Sequence, residues 1–381
     1  MTRRRLVRAR YGWIGWLLLG LVGGATLLVV ATPTGRYLAR GAWEEARILS
    51  RRRSIEAMVR DSATPPATRA KLELVLAARA FAVDSLGLPA KESFTKFTQL
   101  DHDTLVLVLS GTRRDALVSK TWWFPVVGRV PYKGFFDFEA GKREEEKLKA
   151  EGYDTYLRPS PAFSTLGWFN DPLLSTTLGE DSLAIAQTVI HELTHNRVYL
   201  KGEAVFNESL AEFVGNRGAV EFFRSRGDTA RVRVAEARWR DEMRLGEAWA
   251  RAYHSLDSAF AAHPYADARA LADPGREPVV RAVRLAARDS VLARTRRFLV
   301  DSVGPRLETI DPSYAARVRL DNAAIVARRF YATGLGDFEA MWVREGRSVR
   351  RAFDRIVAAA VAASGDPFAA VRPAPDPFRG R

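Results

Sequence analysis

A chain of 381 residues is long enough for one large domain or two small ones, and 47% hydrophobic content is that of a globular protein with a sizeable core. Cysteine is absent, which excludes disulfides, thiolate metal sites and a cysteine nucleophile, so a transition-metal site must draw on His, Asp and Glu. The net charge of +14 is spread through helical-looking segments such as Ala230 to Arg244, where acids interleave with the arginines; a nucleic-acid groove would concentrate one sign, so these read as solvated helix faces and no nucleic-acid partner is expected.

The chain opens with Arg3, Arg4, Arg5, Arg8 and Arg10, followed by an uncharged stretch of 22 residues from Tyr11 to Thr32. That length spans a bilayer as a helix, and the positive-inside rule keeps the arginines in the cytoplasm. The expectation is a signal anchor over residues 1–33, holding a single-pass protein in the membrane with the rest of the chain on the extracytoplasmic side. A cleaved signal peptide is the alternative, but the apolar run is longer than the usual signal core.

Residues 34–100 read as helical, with helices over Arg36 to Arg60 and Ala67 to Leu86. In 101–180, Thr104 to Gly111, Thr121 to Phe138 and Asp154 to Phe169 are rich in β-branched and aromatic residues and punctuated by Gly and Pro, which predicts strands of a small sheet. From Asp181 the pattern is almost wholly helical, in two parts, 181–227 and 228–365, and the Pro-rich residues 366–381 read as a disordered tail. The predicted fold class is therefore α+β: a small N-terminal sheet packed on a helical core that carries the motif below, then a mainly helical C-terminal part, with 34–365 as one domain.

The segment Asp181 to Leu200 predicts a helix capped by Asp181 or Ser182, with Gly202 just beyond its end. Leu183, Ile185, Ala186, Val189, Ile190 and Leu193 cover most of its circumference, while Thr188, His191, Glu192, His195 and Tyr199 form one narrow polar stripe. Burying unpaired ionisable groups costs several kcal/mol each, roughly, unless something neutralises them. A metal ion would do so. His191 and His195, one turn apart, can turn ring nitrogens to one ion while Glu192 projects beside them: the HExxH arrangement. A catalytic zinc site needs a third protein ligand. Glu208 lies 13 residues beyond His195, about 20 Å along a straight helix at about 1.5 Å per residue, so it can ligate only if the chain turns at Gly202 and a second helix, starting near Asn207, returns to the metal. Glu212, one turn after Glu208, could then orient a ligand histidine. The alternative is that Glu208 and Glu212 are an exposed pair on an amphipathic helix.

HELTH followed by Asn-Glu and a helix of small residues resembles the gluzincin metallopeptidases, and more narrowly the bacterial putative aminopeptidase family. The resemblance is carried by ARAFAVDSLGLP, WWFPVVGRVPYKGFFD, AFSTLGWFNDPLL, IHELTHNRVYL and FNESLAEFVGNRGAVEFF, with a weaker echo in LDNAAIVARRFYATGLGDFEAMW. It implies one zinc ion per chain, held by His191, His195 and Glu208 with Asn207 and Glu212 in support. Glu192 would act as general base in peptide-bond hydrolysis of a peptide or protein substrate. Tyr331 and His254 are candidate donors to the oxyanion. By analogy with gluzincins, Ser164, Thr165, Gly167 and Trp168 would lie on a strand that pairs with the substrate backbone. The chain lacks the Gly-Ala-Met-Glu-Asn signature with which better-known aminopeptidases hold a free amine, so action at the N-terminus rests on the family label. The reading from a different class is a non-enzymatic envelope binding module that a structural metal stabilises; retention of Glu192 argues against it.

Overall fold

The computed structural model describes residues 31–101, 104–124, 128–160, 172–363 and 365–372, with isolated positions 16, 17, 20, 23 and 24. The chain divides into two compact units, Met1–Arg52 and Arg53–Arg381. In the first, helix α1 (Pro33–Ser50) starts at a proline and is capped by Thr32, whose hydroxyl accepts a hydrogen bond from the Gly35 N–H at 2.9 Å. Most of the expected span from Tyr11 to Thr32 lies outside the described residues, and α1 itself carries Arg36, Arg40, Glu44, Glu45 and Arg47. Among the described residues no helix is long and apolar enough to cross a membrane. This finding overturns the expected transmembrane helix, and the membrane contact expected through it loses its support.

The second unit begins with β1 (Arg53–Ser54) and α2 (Ile55–Arg60), so the single helix predicted from Arg36 to Arg60 is broken in two. The break has a cause: Arg53 and Ser54 pair with Phe97 and Lys96 of β2 (Lys96–Thr98), and the Ser54 hydroxyl caps α2. Helix α3 (Pro66–Asp84) follows, and among the described residues the strands form three small sheets instead of one. In the largest, β3 (Val106–Arg113) lies between β6 (Tyr132–Phe135) and β7 (Tyr153–Ser160), antiparallel to both. Separately, β4 (Trp122–Phe124) pairs antiparallel with β5 (Gly128–Val130), and the short β8 (Leu173–Leu174) runs parallel to β2. Helix α4 (Phe138–Ala150) covers one face of the β6-β3-β7 sheet, where Leu109, Phe135 and Leu148 are buried with Leu107 and Leu157.

The remainder is helical, as its periodicity predicts: α5 (Ser182–Arg197), α6 (Ala204–Ser225), the 33-residue α7 (Thr229–Ala261), α8 (Pro278–Phe298), α9 (Asn322–Ala332), α10 (Leu335–Arg344) and α11 (Val349–Ala362). A short helix α12 (Pro367–Val371) stands where a disordered tail was expected; Phe368 packs there on Phe206 and Phe338, which gives the segment apolar contacts to order it. The architecture is thus mixed helix and small sheets. Its main core gathers around α5, where Ile185, Ala186, Val189, Ile190 and Leu193 are completely buried against α3, α6 and the C-terminal helices.

Helices α5 and α6 approach closely because α6 presents glycines to its neighbour. A Cβ at Gly218 would come within 2.9 Å of Ile190 Cγ2 and 3.0 Å of Leu86 Cδ1; one at Gly215 would lie 3.0 Å from the Gln187 carbonyl oxygen and 3.2 Å from His191 Cβ. Gly218→Ala should gain about 1 kcal/mol in helix propensity but lose about 1–3 kcal/mol by overpacking. The expected outcome in urea unfolding is a net loss; a variant as stable as the parent would show that the two helices do not depend on this contact.

Candidate metal centre

The motif helix α5 forms where the sequence places it. Asp181 is its N-cap, accepting from the N–H groups of Leu183 and Ala184, and Arg238 pairs with the same carboxylate, holding it down at about 2. The helix ends at Arg197 because Val198 is extended, so Tyr199 falls beyond it, exposed, instead of completing the polar stripe. Thr188 acts on Glu180 of the loop before the helix, whose carboxyl burial and the neighbouring Asp181 push up. Of the stripe, His191 and His195 face α6, and the charge of Glu192 acts on His191 beside them.

The chain turns at Gly202, whose φ of +88° suits glycine. Helix α6 begins at Ala204, three residues earlier than its predicted start. Asn207 sits in its first turn and clasps the end of the preceding segment: its Oδ1 accepts from the Leu200 N–H at 2.9 Å and its Nδ2 donates to the Leu200 carbonyl at 2.8 Å. The result returns Glu208 to the histidines. His191 Nε2 lies 3.5 Å from Glu208 Oε2, His195 Nε2 lies 3.6 Å from Glu208 Oε1, and the two rings stand edge to face with centroids 5.1 Å apart. One ligand atom from each of His191, His195 and Glu208 falls within 4.8 Å of the others, so the three could hold a metal ion.

Glu212 is one helical turn further on, with Oε2 3.5 Å from His191 Nδ1. Its other oxygen accepts from Gln187 Nε2 at 2.9 Å and from Asn216 Nδ2 at 2.8 Å. These two amides aim the carboxylate at the histidine, which leaves Nε2 facing Glu208 and the gap between the helices. Neither amide was expected from the sequence, although Gln187 is one turn before His191 and Asn216 one turn after Glu212. Glu242 of α7 was also missed; burial, Glu212 and Asp241 push it up to about 7.

The electrostatics describe a pocket for a cation. Burial disfavours charge on His191, but the carboxylates of Glu208 and Glu212 at its two nitrogens, with the charge of Glu192 nearby, outweigh burial and raise it to about 10. Burial and the charge of His191 hold His195 down at about 4. Burial pushes Glu208 up, yet the two histidines and Arg158 keep it below the ordinary carboxylate range. In the metal-free arrangement the proton on His191 supplies the positive charge that two carboxylates and a buried setting require.

Of the other predicted residues, Tyr331 on α9 is at this centre: burial and then the Glu208 charge raise its hydroxyl to about 12, so it remains a donor. His254 is exposed on α7 beside Tyr253, and no described contact joins it to the cluster. Ser164, Thr165, Gly167 and Trp168 lie outside the described residues. Sequence reasoning missed Arg158 on β7 and Tyr132 on β6, both within electrostatic reach of Glu208.

A family model described as putative aminopeptidase matches residues 36–364. The chain belongs to that family. Family membership covers most of the chain and suggests a peptidase with a peptide substrate. No curated protein and no solved structure matches the chain.

A proton on His191 must leave before its nitrogen can ligate. With a pKa of about 10, this histidine is protonated in the metal-free site at neutral pH, so metal binding should release a proton and apparent affinity should rise about tenfold per pH unit across the neutral range. Calorimetric titration in two buffers of different ionisation enthalpy checks the expectation. Binding without proton release would mean that His191 enters the site already neutral.

Proposed function

We propose that this member of the putative aminopeptidase family is a zinc metallopeptidase of the gluzincin type. The observation that carries the reading is the convergence of His191, His195 and Glu208, from two helices and across a tight turn, on one point beside Glu192. Two imidazoles and a carboxylate suit zinc and leave a coordination position for chemistry. When bound there, the metal supplies Lewis acidity to the substrate carbonyl and to water.

The residues of the chain divide the remaining work. Glu212 accepts the Nδ1 proton of His191 and, held by Gln187 and Asn216, keeps the imidazole turned with Nε2 towards the ion. Glu192, next to His191 in the same stripe, takes a proton from water at its carboxylate and returns it to the nitrogen of the leaving amine. Tyr331, still protonated with its pKa near 12, donates a hydrogen bond to the oxygen on which negative charge develops. The family description supports release of the N-terminal residue as the mode of cleavage.

Protein prepared without chelator should contain about one zinc per chain, and His191→Ala and His195→Ala should each lower that content strongly in elemental analysis. Glu192→Gln should keep the metal and the fold while slowing peptide cleavage by about 10²–10⁴-fold. Loss of metal in Glu192→Gln would make Glu192 a ligand and replace this mechanism, and equal cleavage by both forms would remove Glu192 as base. Mass spectrometry of a digested peptide mixture, with cuts one residue from the N-terminus expected, tests the exopeptidase assignment.

A further inference from the structure

The sheet β6-β3-β7 has two faces with different work. In its register Leu107 and Leu109 stand opposite Phe135 and Leu157 and turn to α4, so the alternate positions Val108, Ser110, Tyr132, Tyr156 and Arg158 share the other face. Helix α9 lies against that face: Arg328 stacks over the Tyr156 ring at 5.5 Å, and the Asn322 N–H donates to Asp154 Oδ2 at 3.0 Å. At its far end α9 is tied to α6 through Ser209, the residue after Glu208, whose hydroxyl accepts from the Thr333 N–H at 3.1 Å. The sheet, α9 and α6 together bring Arg158 to the metal cluster.

There its guanidinium acts on the Tyr331 hydroxyl and on the charge of Glu208. Tyr132 stands near the same carboxylate with Tyr199 in its own surroundings, and the two are 44% and 59% exposed, so this side of the cluster opens to solvent. Among the described residues no carboxylate forms an ion pair with Arg158, although a guanidinium has five donors in a planar fork that matches a carboxylate. An arginine held beside this cluster, with no carboxylate ion pair among the described residues and more donors than Tyr331 and Glu208 engage, is suited to receive an anion.

We propose that Arg158 binds a carboxylate of the substrate, and so makes this site selective for peptides that place a negative charge next to the scissile bond. The proposal rests on the peptidase reading above. The carboxylate has two sources, the C-terminus of a short peptide or an acidic side chain, and one fork serves either.

The test uses the full chain loaded with zinc and three matched substrates: a leucyl dipeptide with a free C-terminus, its C-terminal amide, and an amide carrying Glu in the second position. Wild type should favour one or both charged peptides, and which one identifies the source. Arg158→Gln should lower kcat/KM for the favoured peptide by about 10- to 100-fold, chiefly through KM, as loss of a charged hydrogen bond does, and should lower it for the uncharged amide by a clearly smaller factor, the share that Arg158 contributes through Tyr331 and Glu208 whatever the substrate. Arg158→Lys, which keeps the charge but not the fork, should retain part of the preference. An equal loss on charged and uncharged peptides, or an unchanged preference, overturns the proposal. If wild type with bound zinc cleaves none of the three, the peptidase reading fails, and calorimetric titration of the same peptides into Glu192→Gln protein then decides: tighter binding of a charged peptide that Arg158→Gln abolishes supports the proposal, and charge-independent binding or none overturns it.

Discussion

The close contact of α5 with α6 is the constraint on which the rest of this molecule depends. Gly215 and Gly218 remove side chains where α6 crosses Gln187, Ile190 and His191, and only that approach sets Glu208 and Glu212 against the two histidine nitrogens. The apolar side of the same helix pair is completely buried, with Val189, Ile190 and Leu193 meeting Phe206, Leu210 and Phe213 in the main core. Packing and chemistry therefore occupy opposite sides of one joint. The core holds the joint closed, and the ionisable groups are desolvated because it is closed.

Much of the centre was legible in the sequence because its parts are local. The polar stripe on α5 follows from a helical period, and the return of Glu208 follows from a length argument: a ligand too far along a straight helix requires a turn, and Gly202 provides it. The parts that were not legible are those that only tertiary structure assembles. Arg158 and Tyr132 reach Glu208 through the register of a sheet, since an offset of one residue in β7 would turn Arg158 towards α4. His254 shows the converse: its chemistry suits an active site, but helix α7 leaves it in solvent. The break of the first predicted helix at Arg53 has the same origin, because pairing with β2 lies more than forty residues away in sequence.

The arginines also differ from their sequence reading. Several are braces within the fold and not solvated charge. Arg217 is buried between the rings of Trp239 and Trp342 and pairs with Glu236 and Glu339, so α6, α7 and α10 meet at one guanidinium. Arg284, also buried, donates to the main-chain carbonyls of Asp115, Phe260 and His263. In the reverse sense Asp241, completely buried, accepts from the N–H groups of Glu308, Thr309 and Ile310 and fixes the segment after α8 to α7. A high arginine content here supplies fork-shaped cross-links in a chain that has no cysteine to make covalent ones.

The clasp of Asn207 on Leu200 has a consequence for the order of assembly. Both of its hydrogen bonds are made within the protein, to the N–H and the carbonyl of one residue, and neither involves an ionisable group or a ligand atom. The segment it closes is short, so the entropy of bringing its ends together is small. The hairpin of α5 and α6 can therefore form from packing and this amide alone, with a proton on His191 as a temporary guest among the carboxylates. An ion that binds there would meet a finished receptacle and exchange with that guest, whereas in a small zinc-nucleated domain the ion must first gather the chain around itself.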